Sequence, residues 1–162
     1  MRQIDSYGLK SCSFQADIFE KSLHLTSCSS RIFIRRFMLS EFARRMDQSG
    51  ILFESTDSIQ AIQEIELQYG PSAYGQSHYN ADNMYWIGYL YRFWCYTEQI
   101  SSRQVYKVVK PDELNQLYLP YHTLDPAMAI ARIKEAKGIG SNDLTQRGVE
   151  ILRQIRRANQ NV

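Results

Sequence analysis

The chain has 162 residues, of which 44% are hydrophobic, 22% charged and 12% aromatic, and its formal net charge is +2. That length is enough to bury roughly two-thirds of the surface its unfolded chain would expose, which argues for one domain and against disorder. So small a charge supplies no general attraction to nucleic acid or to a membrane. Any such contact has to come from local clusters, such as Arg35 with Arg36, Arg44 with Arg45, or Arg153 with Arg156 and Arg157.

Residues 1–13 show no sustained periodicity and read as a flexible N-terminal arm. From Phe14, apolar residues recur at Ile18 and Leu25, with Phe19 and Leu23 alongside, a helical spacing with Ser13 as candidate N-cap. Residues 26–30, all small and polar, break it. Ser29 or Ser30 then caps a helix over 31–39, where Phe33, Phe37 and the later Phe42 keep helical spacing despite a β-branched start. Residues 40–47 extend or restart it, giving two short helices or one kinked one, and Gly50 suits a left-handed exit.

Residues 51–53 form an apolar linker, after which Asp57 caps a helix over Ser58–Tyr69. Ile59, Ile62, Ile65 and Leu67 lie on or beside its inner face, Glu64 and Glu66 point outward, and Gly70-Pro71 ends it. Residues 70–80 read as a loop, with Asn80 an N-cap candidate for a central helix over about 81–99. That helix holds both tryptophans and is apolar nearly all round, so it should be the buried spine of the domain. Tyr85, Tyr89, Arg92 and Tyr96 share one stripe and are its functional exceptions; Arg92 must find a partner if buried. Gly88 suits a close helix crossing.

Ser102 is read as capping a helix over 103–109, and Pro111 as the first turn of another over 112–118. Residues 119–124 form a proline-bent connection, and Asp125-Pro126 starts a helix over 127–137 with Met128, Ile130 and Ile133 inward. Gly138-Ile139-Gly140 is a hinge, followed over 141–162 by an amphipathic helix carrying Leu144, Val149, Ile151, Leu152 and Ile155. No eight-residue window shows strand alternation. The expected fold is therefore all-α: a multi-helix domain over 14–137 packed around the aromatic helix, with 138–162 packed on it or extending from it.

Candidate chemistry is sparse. His24, His78 and His122 have no metal-ligand spacing, and no phosphate-binding, dinucleotide-binding or nucleophile-elbow motif occurs, so no metal, cofactor or catalytic residue is expected. Cys12, Cys28 and Cys95 form no C-x-x-C pair. With no apolar h-region in residues 1–15 and no run near the ~20 apolar residues of a membrane span, a reducing, cytoplasmic location is expected. One reading is a helix-turn-helix-like DNA-binding regulator whose recognition helix exposes Arg103, Gln104 and Lys107. The competing reading is protein binding, since tyrosines at helix ends and in loops, with exposed arginines, have the composition of interface anchors.

Three stretches add a resemblance: SSRIFIRRFMLSEFARRMD (29–47), YGPSAYGQSHYNADNMYWIGYLYRFWCYT (69–97) and SSRQVYKVVKPDELNQLYLPYHTLDPAMAIARI (101–133). Together they resemble a family of small bacterial antitoxins encoded beside ADP-ribosyltransferase-like toxins. The resemblance implies a non-enzymatic protein that binds a cognate toxin and blocks its cleft; many antitoxins also repress their own operon, so operator DNA is a further expected partner that links to the first reading. Arg35, Arg36, Arg44 and Arg45 are then the first contact candidates, because planar, permanently charged heads suit carboxylates. Tyr74, Tyr79, Tyr118, Tyr121 and His122 are the second group, as rim anchors. A small enzyme without a recognisable motif is the remaining alternative.

Overall fold

The computed structural model describes residues 1–48 and 55–140. Gly50, the linker 51–53 and the expected helix over 141–162 lie outside the described residues. Among the described residues the fold is all-α, as expected. Its helices are α1 (Ser6–Leu25), α2 (Ser30–Leu39), α3 (Glu41–Asp47), α4 (Ser58–Tyr69), α5 (Ala81–Glu98), α6 (Ser102–Val108), α7 (Pro111–Tyr121) and α8 (Pro126–Ala136). None is long and apolar enough to cross a membrane. The chain divides into two compact units, Met1–Pro126 and Ala127–Val162.

The first unit is built on α5. Met84, Ile87, Leu90, Tyr91 and Trp94 are buried, as its apolar stripe predicts. Helix α1 is its main partner and runs antiparallel to it, since Gly8 meets Tyr96 while Gln15 and Ala16 meet Gly88. A Cβ on Gly88 would stand 2.9 Å from both the Ala16 Cα and the Gln15 carbonyl oxygen, so only glycine permits this crossing. Phe19, Phe33, Phe37 and Phe42 join α1 to α2 and α3 as a chain of tilted and edge-to-face rings, with centroids 5.0–6.0 Å apart between Phe19 and Phe37, Phe19 and Phe33, and Phe37 and Phe42.

Several boundaries differ from the expectation. Helix α1 begins at Ser6, not Phe14, because the Asp5 carboxylate accepts from the Gly8 N–H at 2.8 Å and caps it there. The first turns are also tied to α5: the Arg2 N–H donates to the Thr97 carbonyl at 2.8 Å, and the Tyr96 hydroxyl donates to Asp5 at 2.7 Å. Gly8's N–H and the Tyr96 hydroxyl together hold the Asp5 carboxyl below its ordinary range. Helix α6 is capped by Ser101, with Gln104 completing a capping box, rather than by Ser102. Helix α7 runs through Pro120, which stands in the last turn on an exposed face where water can serve the carbonyl that loses its donor. Leu67 is 86% exposed, and Ile59 and Met128 are exposed as well, although Ile59 and Leu67 were expected on or beside the inner face and Met128 inward. Asn80 occupies the N-cap of α5 without a side-chain cap bond.

Other boundaries stand as read. Ser29, one of the two candidates, caps α2, and Asp57 caps α4 with a capping box through Gln60; residues 40–47 restart the helix rather than extend it, because Ser40, not singled out in the sequence, caps α3. Gly70 ends α4 at φ 77°. In the second unit, Ala129, Ile130 and Ile133 of α8 are buried, and a turn follows in which Gly138 and Gly140 take positive φ.

Arg92 is the charged centre of the first unit, only 2% exposed. Its Nε donates to Gln15 Oε1 at 2.7 Å, its Nη1 to Asp47 Oδ1 at 2.7 Å and its Nη2 to Ser102 Oγ at 2.9 Å. Asp47 also accepts from the Ser102 N–H at 2.8 Å and the Ser102 hydroxyl at 2.7 Å. Gln15 passes its own N–H to the Gly88 carbonyl at 3.1 Å. One network thus ties α1, α3, α5 and α6, and no buried side-chain polar atom among the described residues lacks a partner.

Candidate functional site

The candidate residues separate into three environments. The first is structural. Arg44 pairs with Glu41 one turn earlier on α3, and Arg45 reaches Glu64 on α4 at 2.6 Å while lying over the Phe42 ring. Arg36 donates to the Gly70 carbonyl at 2.9 Å, pairs with Glu66 at 3.5 Å and lies over Tyr69, leaving its side chain 16% exposed. Arg36 and Arg45 thus fasten α2 and α3 to α4 through Glu66 and Glu64, while the Arg44 pair stays within α3. Tyr74 is 72% exposed, but its backbone is committed: its carbonyl accepts from the Ser29 N–H at 3.0 Å, docking the 70–80 loop on the start of α2.

The second environment is a basic and aromatic face made by α2, α4, α6 and the start of α7. Arg31 and Arg35 are one turn apart on α2, and Arg103 and Lys107 one turn apart on α6, all four exposed. Tyr69 and Tyr106 lie between them. Burial raises both phenol pKa values, and this is opposed at Tyr69 by Arg103, Arg36 and Arg35 and at Tyr106 by Arg35 and Arg31. The face ends at Arg31, which pairs with Asp112 at 3.4 Å, and at Tyr79, whose hydroxyl donates to the same carboxylate. Burial first, and then Asp112, push the Tyr79 hydroxyl far up. Among the described residues, no carboxylate lies within ion-pair distance of Arg35, Arg103 or Lys107. Gln104 does not join this face as a free side chain, because its carbonyl oxygen accepts from the Ser101 N–H at 2.9 Å in the capping box.

The third environment is a cleft of about 380 Å³ lined by Glu20, Asp82, Tyr85, Trp86, Tyr89, Tyr118 and His122. Trp86 meets Tyr118 edge to face, with centroids 5.8 Å apart, and Tyr118 stacks on His122 at 4.5 Å. His122 Nδ1 lies 2.9 Å from the Tyr118 carbonyl and 3.1 Å from that of Leu119. Both are acceptors, so Nδ1 carries the proton and Nε2 is the open position of the neutral ring. Tyr121, at the end of α7, is half-buried and lines neither the face nor the cleft.

Of this face, Arg35, Arg103, Lys107 and Tyr79 were legible as contact candidates and Tyr69 as one of the helix-end tyrosines, whereas Arg31 and Tyr106 were not. Of the cleft, Tyr118 and His122 were legible, and Tyr85 and Tyr89 only as a stripe. The i, i+4 spacing of Arg31 with Arg35 was the available signal for the face. Glu20 carried none, since only the α1–α5 crossing brings it to the cleft. Among the described residues, no group of three or more histidine, cysteine or acidic side chains could hold a metal ion. The chain matches no family model, and no curated protein or solved structure matches it.

Proposed function

We propose that this chain is a non-enzymatic binding protein that neutralises a cognate toxin by protein–protein contact, as its resemblance to antitoxins over 29–133 implies. The contact surface in this reading is the α2–α4–α6 face. The observation that supports it is the pair of exposed guanidiniums, Arg35 and Arg103, flanking Tyr69 without a carboxylate of their own. Rigid aromatic area between permanently charged, planar cations is the composition of interface hot spots, and it fits an acidic, concave partner surface. Co-expression with the product of the adjacent gene tests the class. The pair is expected to co-purify and to restore growth to cells expressing that product; failure of both outcomes rejects the reading.

A DNA-binding role draws on the same face, since Arg103 and Lys107 project from consecutive turns of α6. Two features weigh against it: α6 has only 7 residues, and Gln104 is spent on its cap. Replacing Arg103 and Lys107 by alanine would lower the salt slope of promoter binding by about 2 if both met phosphates.

A further inference from the structure

We propose that the cleft between α1, α5 and α7 is a binding site for a small organic cation carrying an alkylated ammonium head. The inference is independent of the toxin-binding reading and uses none of the residues of the α2–α4–α6 face.

Asp82, Tyr85, Trp86 and Tyr89 recur at spacings of three and four, so they line one strip of the α5 surface. The close crossing at Gly88 then fixes Glu20. Helix α1 runs antiparallel to α5 with Ala16 against Gly88, and one turn further along α1 Glu20 comes level with Tyr85. Helix α7 supplies the remaining wall through Tyr118 and His122, again one turn apart.

The chemistry is consistent around the cleft. Its walls are four electron-rich rings, Tyr85, Trp86, Tyr89 and Tyr118, and the His122 imidazole, which stacks on Tyr118. Its only full charges are the carboxylates of Glu20 and Asp82, and neither has a cationic or hydrogen-bonding partner among the described residues. No lysine or arginine lines it. Ring faces carry the negative end of the aromatic quadrupole, so they attract a cation that water solvates weakly, and two carboxylates add charge attraction. An anion would meet repulsion from every side. A neutral apolar ligand would fit the rings but leave the carboxylates desolvated without compensation. An alkylated ammonium satisfies both.

Titration calorimetry of the full chain at fixed ionic strength tests this with choline as the probe and 3,3-dimethyl-1-butanol as its neutral isostere. Choline is expected to bind saturably, with the isostere weaker by at least about tenfold. The Glu20→Gln/Asp82→Asn variant, which keeps the shape of the cleft, should weaken choline about tenfold or more while circular dichroism and thermal unfolding stay unchanged. Tyr118→Leu should weaken it independently of charge. Equal binding of choline and the isostere would show an apolar pocket without cation selectivity and overturn the proposal. So would the absence of choline binding by folded protein, or choline affinity that ignores Glu20→Gln/Asp82→Asn.

Discussion

Removing the Asp47 carboxylate is the sharpest test of how the first unit is held together. Asp47 is the only carboxylate on the buried Arg92 guanidinium among the described residues, at 2.7 Å. It also accepts two bonds from Ser102, fixing the start of α6 beside α3. Asp47→Ala therefore leaves a guanidinium that is 2% exposed with only the neutral oxygens of Gln15 and Ser102. Breaking a buried pair from one side costs about 3–5 kcal/mol. For a chain of this size that lowers Tm by about 6–20 °C, at about 2–4 °C per kcal/mol. Asp47→Asn keeps an acceptor but loses the charge, and should fall between the variant and the natural chain. The double variant Asp47→Ala/Arg92→Met removes both charges, and should recover at least about 1 kcal/mol relative to the sum of the two single losses. Urea unfolding followed by tryptophan fluorescence reads all three, since Trp94 sits two residues from Arg92 on α5. A loss below about 1 kcal/mol for Asp47→Ala would refute the claim that this network holds a desolvated charge.

Two further outcomes follow from the same geometry. Gly88→Ala should destabilise by about 1–3 kcal/mol even though alanine is the better helix former, because the new Cβ meets backbone on α1 rather than a side chain that can rotate away; an unchanged urea midpoint would contradict the close crossing. Burial pushes the Cys12 thiol up to about 12 and the Cys95 thiol up to about 11, from an ordinary 9.0. Above that ordinary value the unfolded chain releases these protons while the native state keeps them, so stability should fall as pH rises from 9 toward 11, by about 1.4 kcal/mol per pH unit for each thiol. Cys12→Ala/Cys95→Ala should flatten that alkaline slope, whatever it does to stability at neutral pH, and a slope as steep as that of the natural chain would refute the assignment.

Local chemistry made most of the helix ends legible. Ser29 and Asp57 announce their helices because each side chain accepts an N–H three residues on, and Gly70 supplies the positive φ that ends α4. The start of α1 was hidden for a physical reason. Its buried stripe is Gly8, Ser11, Cys12 and Gln15, small or polar residues that fit a tight crossing but give no hydrophobic period. Leu67 and Met128 show the opposite failure, since apolar residues at the margin of a stripe can face water at little cost. Arg92 was recognised as a residue needing a partner, but Asp47, 45 positions away, had no sequence signal that could name it. The cleft was illegible for the same reason: Glu20 and His122 are brought to one place only by packing α1 and α7 against α5.

The most direct test of the central claim is charge reversal on the exposed face. Arg35→Glu/Arg103→Glu alters two guanidiniums that hold no ion pair among the described residues, so the fold and its thermal stability should be retained. Co-purification with the product of the adjacent gene, measured side by side for the natural chain and this variant, should show at least about a hundredfold loss of affinity, since each reversal at a hot spot is worth about 1.4 kcal/mol or more. Undiminished binding and neutralisation by the folded variant would contradict the account, and would move the contact surface away from α2, α4 and α6.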